Sequence, residues 1–112
     1  MEDGSKRKST RIRKSIKVKI SNEYNDLAYS LPINCFSKDL SIGGIQLEIN
    51  TKYEPGDIVY IRFLVDDKSY IDVQGKVKWQ KERIPRKSFL LGIEFEELDK
   101  ANYEKLKQIL NL

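Results

Sequence analysis

Apolar side chains alternate with polar ones along most of this chain, and this period of two constrains its fold more than any other feature. The first example is Ile16, Val18 and Ile20, which alternate with two lysines. Successive side chains of a strand point to opposite faces of a sheet, so each alternating segment is expected to bury one face. The pattern predicts strands over residues 16–20, 33–36, 45–49, 58–65, 71–79 and 89–95.

Two of the predicted strands carry additional information. The run 58–65 is almost continuously apolar, which predicts a strand covered on both faces. Gly75 interrupts the alternation of the following strand and indicates a β-bulge or a sharp bend at that position. Such a bend is one device by which a small sheet closes into a barrel.

The pattern changes from a strand to a helix near the C-terminus. Tyr103, Leu106, Ile109 and Leu110 recur at helical spacing, and Asp99 precedes them as a residue that can cap the first turn. We therefore expect a short amphipathic helix that packs on the strands.

These elements predict an all-β fold with one C-terminal helix, in the form of a six-stranded antiparallel β-barrel. The expected organisation is a flexible basic arm over residues 1–14, the barrel over 15–98 and the packed helix over 99–112. Residues 1–11 contain one apolar side chain, Met1, so the arm is expected to order only with a partner.

Composition excludes several kinds of site. The chain has no His and a single Cys, Cys35, so a zinc finger, a Cys/His nucleophile pair and a Ser-His-Asp triad are all impossible. Candidate acids and bases do not cluster, and no enzymatic activity, metal or cofactor is expected. An internal disulfide is also impossible. With no apolar run long enough to span a bilayer and no signal peptide, a cytoplasmic protein that does not insert into membranes is expected.

The positive charge of the chain is concentrated at its N-terminus. The net charge is +4, and residues 1–20 hold eight basic and two acidic residues, whereas the remaining 92 residues carry a net charge of −2. Such an arm indicates an anionic partner, either nucleic acid, a nucleotide or an anionic membrane surface. A solvated tail that improves solubility is the alternative.

Two short motifs point to a nucleotide. Arg7 and Arg11 form an Arg-x-x-x-Arg pair whose planar guanidinium groups can bond phosphate oxygens or a guanine edge. The second motif is Asp39-x-Ser41-x-x-Gly44, in which Asp accepts hydrogen bonds from a guanine edge and Ser donates to a phosphate. A shuffled chain would contain the first pattern about 0.3 times and the second about 0.03 times. The second motif can alternatively be a simple hairpin turn.

The order of these motifs resembles the PilZ domain family. Lys6 to Arg11 matches the family's RxxxR element and Asp39 to Gly44 its (D/N)xSxxG element, while segments 75–79 and 91–95 are similar to its later strands. The resemblance implies a PilZ-like barrel that binds the bacterial second messenger cyclic di-GMP. Its ligand-binding residues are then Arg7, Arg11, Asp39, Ser41 and Gly44, with Lys6, Gly43 and Trp79 as further candidates.

The basic arm is the expected switch of the protein. It is expected to order on cyclic di-GMP, and the signal is expected to pass to an unidentified downstream protein or to act through competition for the surface that the ligand covers. Some relatives have Arg where this chain has Lys6, and that position influences whether one or two ligand molecules bind, so the stoichiometry stays open.

A small barrel that binds RNA or single-stranded DNA through the basic arm is the alternative function. Such barrels display aromatic side chains on exposed strand faces. Phe89, Phe95 and Trp79 share the parity of the expected core face, which does not favour nucleic acid. Trp79 itself is expected in the core or at the barrel rim rather than as a stacking platform.

Overall fold

Six antiparallel strands and one α-helix form the computed structural model of the protein, which describes residues 15–36, 39–96 and 98–110. The basic arm predicted over residues 1–14 lies outside the described residues. The strands are β1 (Ser15–Ser21), β2 (Ile33–Phe36), β3 (Gly44–Ile49), β4 (Ile58–Leu64), β5 (Tyr70–Ile84) and β6 (Ser88–Phe95). The predicted six-stranded architecture is confirmed.

The strands form one sheet in the order β2-β1-β4-β5-β6-β3. Every pairing is antiparallel, and the two edge strands β2 and β3 approach each other, so the sheet is a nearly closed barrel. The predicted alternation accounts for the core. Inward-facing side chains such as Val18, Ile61, Phe63 and Leu91 are fully buried. Their burial is the main free-energy gain of folding.

Strand β4 differs from the prediction that both its faces are covered. Val59, Ile61 and Phe63 are fully buried, but Tyr60 and Leu64 on the outer face are only half-buried. The outer face is partly covered by a 3-10 helix, Tyr24–Tyr29, in a segment predicted to be only a connection. Leu27 is the fully buried residue of this helix.

A polar network holds the 3-10 helix to the sheet. The Arg62 guanidinium donates to both carboxylate oxygens of Asp72 across strands β4 and β5, at 2.7 and 3.0 Å. The Tyr24 hydroxyl donates to the same carboxylate at 2.8 Å, and the Arg62 guanidinium lies 4.0 Å from the centre of the Tyr70 ring. Its hydrogen bonds to Asp72 raise the pKa of Arg62 above its usual value, so this side chain stays charged.

The C-terminal helix α1 spans Lys100–Leu110 and begins as predicted. The Asp99 carboxylate accepts the backbone N–H of Asn102 at 2.8 Å, as an N-cap does. Leu106 is fully buried against the barrel, whereas Tyr103 is partly exposed beside the Lys107 ammonium group. No helix within the described part of the chain has the length and apolar character to cross a membrane.

The sequence predicts a β-bulge or a sharp bend at Gly75, and the β-bulge is wrong. Gly75 pairs in regular register with Val59 on one side and Phe95 on the other. The register of β5 against β6 shifts instead between Val77 and Trp79, and again between Glu82 and Ile84. The first of these shifts decides where the Trp79 side chain lies.

Candidate ligand-binding site

The Asp39 to Gly44 turn has a defined conformation at the entry to β3. The backbone N–H of Ser41 donates to the carbonyl of Gly44 at 2.9 Å, and the Ser41 hydroxyl accepts the N–H of Gly43 at 3.3 Å. The Gly43 carbonyl in turn accepts the N–H of Phe95 at 2.9 Å, which fixes the turn to the end of β6. Asp39 and Ser41 are thereby held on one compact loop.

Gly44 is required by a close approach between two strands. It pairs with Glu94 at the first position of β3, and a methyl group there would collide with the carbonyl oxygen of Ile93. The neighbouring Gly43 has no atom within 4 Å of the place where a Cβ would stand. One glycine of the pair therefore lets the strands meet, and the other leaves its backbone open towards solvent.

Trp79 lies on the outer face of the barrel, against Gly92. The register shift after Val77 turns the Trp79 side chain outwards, where it pairs with Gly92 and its indole occupies the space that a Cβ of Gly92 would need. Its side chain is 40% exposed. The prediction that Trp79 belongs to the core face is wrong, because the shift reverses the alternation beyond Val77.

A groove of about 390 Å³ joins the turn to the exposed indole. This size is in the range of small-molecule sites in proteins. Its lining contains Asp39, Ser41, Gly43, Gly44, Gln46, Lys78, Trp79, Gly92 and Glu94.

The charges of the groove are mixed. Lys78 lies 3.4 Å from the carboxylate of Glu94, and both side chains are more than half exposed. Asp39 contributes a second carboxylate, which also influences Cys35 beneath it. Burial, and secondly the Asp39 charge, raise the pKa of the Cys35 thiol to about 12. The groove by itself carries no excess of positive charge.

The structure thus brings together five of the predicted site residues: Asp39, Ser41, Gly43, Gly44 and Trp79. The remaining three, Lys6, Arg7 and Arg11, lie outside the described residues.

Gly92, Gln46, Lys78 and Glu94 also line the groove and were not predicted. Gln46 follows Gly44 by two residues in β3, whereas the proximity of Lys78, Gly92 and Glu94 to the turn depends on the pairing of β6 with β3 and β5, which no local signal marks. Among the residues with described positions, no group of His, Cys, Asp or Glu is arranged to hold a metal ion.

Comparison with solved structures finds the same fold in a protein of low sequence identity. The structure described as the Bacillus subtilis inhibitor of motility, MotI/DgrA, superposes with a TM-score of 0.62 at 16% identity. The match covers 88% of this chain and 46% of that one, so the present chain spans less than half of its length.

We also compared the sequence with curated proteins and with models of protein families. No curated protein matches significantly, but the family model described as the PilZ domain matches residues 5–112. The matched region contains both motifs and all six strands. The chain therefore belongs to the PilZ domain family.

Proposed function

We propose that this protein is a non-enzymatic receptor for cyclic di-GMP, which binds in the groove between the Asp39 to Gly44 turn and Trp79. PilZ domains are a family of cyclic di-GMP receptors. The observation that carries the proposal is the meeting of a complete (D/N)xSxxG turn with an exposed indole in one open groove.

Each group in the groove suits one part of the ligand. The Asp39 carboxylate can accept the two N–H groups on the edge of a guanine base. As a donor, the Ser41 hydroxyl makes only a long bond of 3.4 Å to the Gly44 carbonyl, so it is available to donate to a phosphate oxygen. The open backbone at Gly43 admits close approach, and the exposed indole of Trp79 offers a flat surface for a base.

The arm is long enough to reach this site. Ser15 at the start of β1 pairs with Phe36, three residues before Asp39. Arg11 precedes Ser15 by four residues, and four residues span at most about 14 Å. Arg11 can therefore reach a ligand in the groove, and Arg7 can reach its far side.

Electrostatics supports a role for both arginines. The ligand carries two negatively charged phosphodiesters, whereas the charged groove residues are Asp39, Glu94 and the ion-paired Lys78. A dianion placed there needs further cations. The guanidinium groups of Arg7 and Arg11 can supply them as charge-assisted, bidentate hydrogen bonds.

Calorimetric titration with cyclic di-GMP, GMP and a short RNA tests the proposal. Cyclic di-GMP is expected to bind, and Arg7→Ala or Arg11→Ala is expected to cost about 1.5 to 3 kcal/mol per lost contact, a tenfold or greater loss of affinity. Arg13→Ala removes an equal charge from the same arm outside the motif and serves as the matched control. The same titration gives the number of ligand molecules per chain.

Two results of these titrations would contradict the proposal. Unchanged affinity for cyclic di-GMP in a folded Arg7→Ala/Arg11→Ala protein would remove the assignment. Tighter binding of the RNA than of cyclic di-GMP would favour the nucleic-acid alternative. Trp79 is exposed, so its expected burial no longer argues against nucleic-acid binding, whereas Phe89 is buried as expected.

We further propose that ligand binding orders the arm and that the ordered arm and groove are recognised by a downstream protein. The arm has too little apolar surface to offset an ordering cost of about 1 to 2 kcal/mol per residue without a ligand. Backbone order parameters from NMR at residues 6–12 should rise on binding while those of the strands stay constant. An arm with the same order parameters in the free and saturated protein would exclude this mechanism.

A further inference from the structure

The β5–β6 hairpin extends past the end of β4, while β6 stays paired with β3 as far as Phe89. We call residues 78–90 the ribbon. The pairing of β5 with β4 ends where Lys76 meets Ile58, but its pairing with β6 continues as far as Ile84 and Ser88. Residues 78–84 therefore have β6 as their neighbour on one side. No backbone hydrogen bond within the described ranges joins them to a strand on the other.

The two register shifts give this ribbon an unusual distribution of side chains. Gln80 and Glu82 pair with the buried residues Leu91 and Phe89, so polar side chains occupy positions on the inner face. Trp79 is on the outer face, and Lys81 follows on the same face opposite the half-buried Leu90.

Ile84 also lies on the outer face. It pairs with Ser88, whose hydroxyl donates at 2.9 Å to Glu48, an exposed residue between buried neighbours of β3. Ile84 is 51% exposed. We call Trp79, Lys81, Ile84 and Leu90 the outer ribbon face.

Cations surround this face. Lys78, Lys81, Arg83, Arg86 and Lys87 are all exposed, and Glu82 is the single carboxylate between residues 78 and 87. The Glu82 carboxylate accepts the backbone N–H of Arg86 at 2.6 Å, within the turn of the hairpin. The apolar side chains of the ribbon are thus bordered by a surplus of positive charge, although Lys78 is ion-paired with Glu94 and Glu48 lies opposite Leu90.

We infer that the outer ribbon face is a docking surface for a protein whose contact patch is apolar and bordered by Asp and Glu. Trp and Arg side chains are enriched in protein interfaces, and the surplus of cations requires carboxylates opposite them. A second copy of the chain is disfavoured, since its own cations would face these.

An anionic membrane fits the surface less well. The apolar side chains follow the face from the groove to the hairpin turn instead of being concentrated at the tip.

The surface adjoins the proposed ligand site through Trp79, which belongs both to the outer ribbon face and to the groove. A protein docked on the ribbon would contact the edge of a ligand bound in the groove. The identification of this surface as the output of the receptor rests on the proposed function, whereas its preference for an acidic partner rests on the ribbon alone.

Selection from a phage-displayed random peptide library on the full chain, with and without cyclic di-GMP, tests the inference. The expected peptides contain aromatic or aliphatic residues bordered by Asp and Glu. Their affinity as soluble peptides, measured by fluorescence anisotropy, should fall at least about tenfold for Ile84→Asp and for Lys81→Glu. Ile84→Ala should cause a smaller loss.

Matched controls are available elsewhere on the surface. Leu31, 84% exposed, and Lys105, exposed on α1, allow Leu31→Asp and Lys105→Glu to make the same chemical changes away from the ribbon. These variants should keep the affinity of the wild-type protein. Circular dichroism of each variant verifies its fold.

Three results would overturn the inference. The first is that acidic peptides are not enriched. The second is that Ile84→Asp and Lys81→Glu leave the affinity for the peptides unchanged. The third is that the ribbon binds vesicles and not peptides. The last is measured by sedimentation with phosphatidylcholine vesicles that contain or lack phosphatidylglycerol. Calorimetry with cyclic di-GMP separates the two proposals, because Ile84→Asp should retain full affinity for cyclic di-GMP. If the protein bound the peptides but not cyclic di-GMP, only the proposed receptor function would be contradicted.

Discussion

The adjacent glycines of the Asp39 to Gly44 turn should respond in opposite ways to the same substitution. In Gly44→Ala, the new methyl group would collide with the carbonyl oxygen of Ile93 and would lie 3.4 Å from the carbonyl carbon of that residue and 3.5 Å from the Cα of Glu94. All these atoms belong to the backbone of β6. They cannot rotate away, so β3 and β6 must separate at this position.

The cost follows from the contacts that this separation weakens. Overpacking of a well-packed region costs about 1 to 3 kcal/mol. The hydrogen bonds around Gly44, including the 2.9 Å bond from the Ser41 N–H to its carbonyl, contribute about 1 kcal/mol each. Gly44→Ala should therefore lower the free energy of unfolding by about 2 to 4 kcal/mol.

Gly43→Ala is the matched control. Nothing lies within 4 Å of its added Cβ, and its φ is outside the left-handed region. The substitution should leave stability unchanged or raise it by about 0.4 to 1 kcal/mol, because Ala restricts the unfolded chain more than Gly does. Urea denaturation followed by circular dichroism measures both variants. Equal stabilities of the two variants would refute the close approach of β3 to β6 as the reason for Gly44.

The remaining predictions concern the scaffold around the site. Asp72→Ala should cost about 1.5 to 3 kcal/mol in denaturation experiments, since the charged Arg62 loses both its hydrogen bonds. Tyr24→Phe should cost less, because the Tyr24 hydroxyl donates one hydrogen bond from an exposed side chain; equal losses would contradict this ranking. The Cys35 thiol should resist thiol reagents until the chain unfolds. Because its folded pKa of about 12 exceeds the unfolded value of 9.0, stability should fall as the pH rises between these values, and Cys35→Ala should remove that part of the slope. Asp99→Ala should cost about 1 kcal/mol through loss of the helix cap, and an unchanged melting temperature would contradict the capping role.

Much of the fold follows from local patterns in the sequence. The β2 strand has the predicted bounds 33–36, the other strands differ from prediction mainly at their ends, and Asp99 caps the helix. These features depend on neighbours within a few residues, so alternation and capping preferences are sufficient to predict them.

The errors concern features that depend on distant residues. The sequence predicts a bulge or a sharp bend at Gly75, but register is determined by the whole β5–β6 pair, and the shifts fall after Val77 and after Glu82. A shift of one position moves every later side chain to the other face of the strand. Trp79 consequently lines the groove instead of the core, and the outer ribbon face exists for the same reason.

The candidate site was predictable as a set of residue types more than as a geometry. Asp39, Ser41 and Gly44 stand at fixed spacing on one turn, so their proximity follows from the sequence. Gly92 joins the groove only because β6 pairs with both β3 and β5. Gly92 has no side chain, which lets the Trp79 indole lie against the strand, and this role can be recognised only once the pairing is known.

The NMR signal of the Trp79 indole N–H during titration with cyclic di-GMP directly tests whether the ligand binds in this groove. Trp79 is the single tryptophan of the chain, so its indole N–H signal is identified without further assignment. We expect a saturable shift of the indole signal together with shifts of the Ser41, Gly43 and Gly92 amides, and none for the 3-10 helix. Saturation with changes confined to other parts of the barrel, or no change at all, would contradict the assignment of this groove as the cyclic di-GMP site.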